Sequence, residues 1–489
     1  MRPLWTRRKL LTGSLGLGVA LPVMPRPAGA ATATGVTIAD SAVPSEQAIF
    51  GWIRTVFSHG IRRPGYPADR WAERWIAAQF RRFGLHRVRL EPVAAQRWRP
   101  SRWSLEVTPS GGPSRMLPCY PVPYAAAVDG LELELAAFDP AAPEAVAGKA
   151  SLYDVRLLRL PADLGLSTVA PERVVDPGGT MAGTEHVLPF GPELLEVMEP
   201  SIAAGARAFI GSLAGYPGDS FHYFVPYDAV LRPIPGLWIS GSDGAWLHER
   251  LAAGPVRVRL TTDTRVDTIT TYNVVGELPG ADEDLVIVGS HHDGPWSSAV
   301  EDGSGIALVL AQAAYWASRP PGERPHRMVF LLHAAHVAGF TGQLGFIAGH
   351  RDELDRTVLE VHLEHAAREF AERDGAVVPT GFNVPRWFFT SEVPALKTAV
   401  RTALVTENVN RSLILAPTAL GPQPPTDAGF YYAAGVPIVN FLAAPWYLLD
   451  KADTLEKVDR AGLVPLTRAA IRIIESTRGV SPADWRDLR

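Results

Sequence analysis

The run Leu285-Val286-Ile287-Val288-Gly289-Ser290-His291-His292-Asp293 decides the fold. Four successive aliphatic residues with no polar alternation predict a strand buried on both faces. That strand ends abruptly in two imidazoles and a carboxylate. The pattern recurs downstream: Met328–Leu332 leads into His333-Ala334-Ala335-His336, and Val358–Leu363 ends at Glu364-His365. Val436–Leu442 is a fourth strand, while Ile306–Trp316 and the stretch from Gly342 to about His350 read as helices. Strands separated by helices predict an α/β fold with a mostly parallel sheet sandwiched by helices.

In such sheets ligands bind beyond the carboxyl ends of the strands. The polar residues after three strands should therefore converge on one crevice. Glu301-Asp302-Gly303-Ser304-Gly305 belongs to the same place. Its glycines permit a tight turn before the first helix, and Glu301 can lean into the crevice beside the helix-start amides.

Composition narrows the chemistry. With 489 residues the chain is too long for one ordinary core. Apolar residues at 47% and charged residues at 20% describe a globular protein, and a net charge of −4 argues against a nucleic-acid partner. Cys119 is the only cysteine, so there is no disulfide framework, and any metal must be held by His, Asp and Glu. That donor set suits a catalytic zinc or similar ion. Eight of the thirteen histidines fall between residues 291 and 365, where an even spread would place about two. Of these, His326 and His350 read as surface, and His333 and His362 as neighbours of the site.

Residues 1–30 read as an address. Thr6-Arg7-Arg8-Lys9-Leu10-Leu11, an apolar stretch to about Val23 and Ala28-Gly29-Ala30 resemble a twin-arginine export signal. The expected destination is periplasmic, cell-wall-associated or extracellular. The stretch is too short and glycine-interrupted for a stable membrane anchor. Residues 40–111 form the N-terminal part of the main domain. Within it, 40–90 looks helical, with Trp71, Trp75, Ile76, Phe80 and Phe83 at helical spacing and Gly84 as a stop. Residues 112–268 are rich in proline, glycine and short strands and read as a small inserted β-rich domain. Residues 269–489 form the main part.

The residues quoted above resemble the secreted zinc aminopeptidases of peptidase family twenty-eight, whose relatives often carry an inserted protease-associated domain. The family's His-x-Asp is matched by His291-His292-Asp293, its bridging Asp by Glu301, its Glu-Glu pair by His336-Val337 and its later Asp by Glu364. The family's last histidine ligand falls at Leu448 or Leu449, just before Asp453-Thr454. The resemblance implies metal ligands His291, Glu301 and Glu364. Because Val337 and the two leucines cannot ligate, it also implies one zinc ion where the family has two. His336 replaces the family's general base. It can take a proton from water, or serve as a further ligand. His365 is a candidate oxyanion group. His292, Asp293, Asp302 and Asp427 should line the pocket or brace the ligands, with Asp293 orienting His291.

Two functions follow. One is an exported metal-dependent hydrolase of aminopeptidase type, acting on a peptide or amide. The other is a catalytically silent binding protein on the same scaffold.

Overall fold

A computed structural model describes residues 37–488; the export-signal reading of residues 1–30 lies outside them. The chain opens with helices α1 (Glu46–Ser58) and α2 (Pro67–Phe83). Pro67 occupies the first turn of α2, where its missing N–H costs nothing. Gly84 ends the helix at φ 89°, a left-handed conformation that glycine adopts without strain. The helical expectation for 40–90 therefore stops short, because a strand begins at His86.

That strand, β1 (His86–Pro109), pairs antiparallel along nearly its whole length with β6 (Val256–Leu278). Between them come β2 (Val128–Ala137), β3 (Ala150–Val155), β4 (Ala208–Leu213) and β5 (Gly236–Ser240). These four run parallel in sequence order, and β2 joins the first half of β6. The second half of β6 joins the main sheet, so a single long ribbon connects the two regions. The expected boundary at residue 268 falls inside this ribbon.

The main sheet contains β7 (Leu285–His291), β8 (Arg327–His333), β9 (Thr357–Leu363), β10 (Arg386–Thr390), β11 (Ser412–Leu415) and β12 (Ile438–Leu442). Its order is β6-β8-β7-β9-β12-β10-β11. The central strands β8, β7, β9 and β12 are parallel, and they are buried throughout, as their unbroken apolar runs predict. Helices α3 (Gly303–Ala317), α4 (Thr341–Gly349), α5 (Pro394–Thr406), α6 (Ala428–Ala433) and α7 (Arg460–Glu475) complete the domain. Ile306, Leu310 and Trp316 of α3 share one core with Val286 and Val288 of β7 and Leu463 and Ile474 of α7. Among the described residues no helix is long and apolar enough to cross a membrane.

Candidate metal centre and catalytic cleft

His291 is the last residue of β7 and lies level with His333, the last of β8. Glu364 and His365 follow directly after β9. The carboxyl ends of three adjacent parallel strands thus deliver these side chains to one place.

The centre of that place is the Glu301 carboxylate. His291 Nε2 and His336 Nε2 each lie 3.5 Å from its Oε1, and His365 Nε2 lies 2.6 Å from its Oε2. The second nitrogen of each imidazole is already committed. Nδ1 of His291 donates to the Asp293 carbonyl at 3.0 Å, and Nδ1 of His365 to the Ala443 carbonyl at 2.6 Å. Nδ1 of His336 sits 3.0 Å from both oxygens of Asp427. Engaging Nδ1 in this way fixes the tautomer and aims Nε2 inward.

The loop that carries Glu301 is held from below. Asp453 accepts the backbone N–H groups of Val300 and Glu301, the latter at 2.8 Å. Arg62, wholly buried, donates to the carbonyls of His292, Ser297, Ser298 and Glu301. Asp302 caps α3 by accepting Gly305 N–H and also accepts the Ser290 hydroxyl. A Cβ on Gly305 would collide with that carboxylate, so only glycine fits there.

Charge follows from these contacts. Burial pushes the Glu301 carboxyl up, but His365, His291 and His336 outweigh it and bring it to about 2. Burial pushes His365 and His336 down, yet the acids facing them raise both to about 10: Glu301 for the first, Asp427 and Glu301 for the second. His291 goes the other way, held well below its ordinary range by burial and then by the charge on His336. A neutral His291 whose Nδ1 donates must point a lone pair at the Glu301 carboxylate. Two acceptors then face each other across 3.5 Å, an arrangement that a cation satisfies. His291, Glu301 and His365 offer donor atoms all within 4.8 Å of one another, so these residues fit a divalent ion of zinc type.

Several expected roles fall differently. Among the described residues, His291, Glu301 and Glu364 do not form such a trio, and His365 takes the third place. The reason is strand alternation: Glu364 continues the face of Glu360 and His362, whereas His365, at φ 52°, turns out of the strand. Asp293 orients His291 through its carbonyl, and its carboxylate instead accepts the N–H groups of His336 and Val337. His292 turns away from the cleft, donating to the Tyr272 carbonyl and pairing with Asp69 of α2 at 3.0 Å. His326 is fully buried, between Asp282 and the Thr477 carbonyl, and is not a surface residue. Leu448 and Leu449 are packed in the core.

Other functional residues carried weaker signals. His362 lies 3.3 Å from Glu364 and 3.6 Å from Asp427, at the heart of the cluster. The two-residue spacing of Glu360, His362 and Glu364 within a buried strand was its legible mark. Tyr227 stacks on His336 from the 112–268 segment, with ring centroids 5.6 Å apart, and no local pattern announces it.

Comparison with known proteins agrees with this geometry. Residues 273–474 match the model of peptidase family M28. Over 126 residues the chain is 37% identical to a probable leucine aminopeptidase 2 of Aspergillus fumigatus, a match covering 23% of this chain and 24% of that protein. The counterpart of Aspergillus oryzae is 35% identical over 134 residues, covering 26% and 25%. The chain thus spans about a quarter of the length of these curated relatives. Among solved structures, a peptidase M28 precursor from Shewanella amazonensis superposes with a TM-score of 0.67 at 19% identity, covering 88% of this chain and 93% of that one. A zinc aminopeptidase from Bacillus subtilis gives 0.62 at 16% identity, covering 91% and 100%. Those two likenesses establish the shared fold. Over residues 273–474, the part that carries the strand ends and the acid turn, the chain is similar to peptidase family M28.

Proposed function

We propose that this protein is a metal-dependent hydrolase of aminopeptidase type that cleaves a peptide or amide bond, with one ion held by His291, Glu301 and His365. The observation that carries this reading is the convergence of three imidazole Nε2 atoms on the Glu301 carboxylate, each with its Nδ1 engaged by oxygen. An ion held there supplies Lewis acidity, polarising a carbonyl and acidifying water.

His336 is the residue placed to move the proton. Its side chain is 13% exposed, against 1% for His291 and 7% for His365, so it is the most solvent-accessible of the three rings. Asp427 holds its Nδ1–H and makes Nε2 the acceptor. A cation held beside it would disfavour the charged form of His336 and so leave that lone pair free. Nε2 then takes a proton from the attacking water as its oxygen bonds the carbonyl carbon, and returns it to the departing amine. With His365 assigned to the ion, the oxyanion role first given to it falls away.

Export through residues 1–30 and a separate inserted domain at 112–268 belong to the same proposal. A scaffold kept only for binding has no need of three oriented imidazoles on one buried acid. Hydrolysis of a panel of aminoacyl-anilides, with and without chelator, tests the reading. Chelator-sensitive turnover, restored by zinc and lost in His291→Ala, is expected; a purified chain that binds no metal and turns over no amide would overturn it.

A further inference from the structure

Beneath the cleft, β9 carries a polar stripe that the chemistry above leaves unused. Glu360, His362 and Glu364 alternate along the strand, share one face and are all buried. His362 Nδ1 lies 2.7 Å from Glu360 Oε1. On its other side, Nε2 lies 3.3 Å from Glu364 Oε1 and 3.6 Å from Asp427 Oδ2. Nδ1 is hydrogen-bonded to Glu360, while the buried Nε2 makes no hydrogen bond and is turned toward the Glu364 and Asp427 carboxylates at ion-pair distance. The ion pairs of Glu360, Glu364 and Asp427 among the described residues are made with histidines alone. Among the described residues, no lysine or arginine pairs with any of these three acids. Asp427 is the acid that orients His336 from behind, and one of its oxygens is the one that faces His362.

We propose that His362, anchored by Glu360, is a positioning residue: it seats Asp427 against His336 and so fixes the direction of the His336 Nε2 lone pair. The chain of contacts is Glu360, His362, Asp427, His336, running from the strand interior to the open cleft. Its kinetic consequence rests on the hydrolase reading; its geometry does not.

The test uses the full chain carrying His362→Gln or His362→Phe, with melting curves to verify folding. Turnover of an aminoacyl-anilide should fall about 10-fold to 100-fold in kcat with KM nearly unchanged. Metal content should stay at the wild-type value. In a His336→Gln background the same substitution should cost nothing further, because His362 acts through His336. The far-downfield proton resonance of His336 Nδ1–H, identified by its absence in His336→Gln, should shift or vanish in His362→Gln. If His362→Phe does not fold, Glu360→Gln, which keeps the side-chain shape, should give a milder version of the same changes. Unchanged kcat together with an unchanged resonance would overturn the proposal. So would a loss of bound metal in His362→Gln, which would make His362 a ligand. If the wild type hydrolyses no amide, the hydrolase reading fails, and the resonance alone decides the positioning role.

Discussion

The His291 and His336 rings stack face to face, with centroids 3.9 Å apart and planes 7° from parallel. One ring ends β7 and the other stands in the turn after β8, so the stack ties two strand ends into one rigid unit. It also separates their chemistry. The Asp427-bound ring carries the positive charge, and that charge, added to burial, keeps its neighbour neutral.

His336 and Asp427 should behave as one unit in catalysis. His336→Gln is expected to lower kcat by about 10²-fold to 10⁴-fold, and Asp427→Asn by about 10-fold to 100-fold. Metal content should be retained in both. Steady-state kinetics alongside elemental analysis checks this; metal lost with His336→Gln would make that residue a ligand.

Arg62 should matter for stability more than for chemistry. Its guanidinium serves carbonyls of the 292–301 loop from a fully buried position. Arg62→Ala strands those oxygens and should cost about 3 kcal/mol or more. Denaturant unfolding of the variant measures it, and a loss under about 0.5 kcal/mol would mean that water replaces the arginine without penalty.

Asp450 provides a pH signature away from the metal centre. Burial, only partly offset by Ser220, the Ala452 N–H and Tyr216, raises its carboxyl from the usual range to about 6. A raised folded value means that its stabilising contribution is complete below the unfolded value and fades as pH rises through about 6. Asp450→Asn should therefore gain stability relative to the wild type between about pH 4 and pH 7, by up to about 3 kcal/mol. Unfolding curves at both pH values check the sign; a relative stability that falls with pH would contradict it.

Cys119 should be chemically silent in the native chain. It is buried, and burial pushes its thiol up to about 12. At pH 8 a thiol reagent should label the folded protein far more slowly than the chain in denaturant. Equal rates would mean that this part of the chain opens readily.

Much of this was legible in the sequence, for specific reasons. The short aliphatic runs at 285, 328 and 358, alternating with helices, read as strands buried on both faces, whose carboxyl ends converge in such sheets. The Glu301 turn announced itself through its glycines. The ribbon of β1 and β6 did not, because its exposed stretches mix arginine, threonine and tryptophan without a clear period. That His365, and not Glu364, turns toward Glu301 was hidden as well. Whether the chain leaves a strand at one residue or the next depends on a backbone turn that neither side chain encodes. Arg62 and Tyr227 reach the site from segments distant in sequence, so no local pattern could have named them.

The central claim is that one ion sits among His291, Glu301 and His365, and elemental analysis of the dialysed protein tests it most directly. The wild type should hold one zinc or similar ion per chain, lost in His365→Ala and retained in Glu364→Gln. An ion that survives His365→Ala and disappears with Glu364→Gln would contradict it.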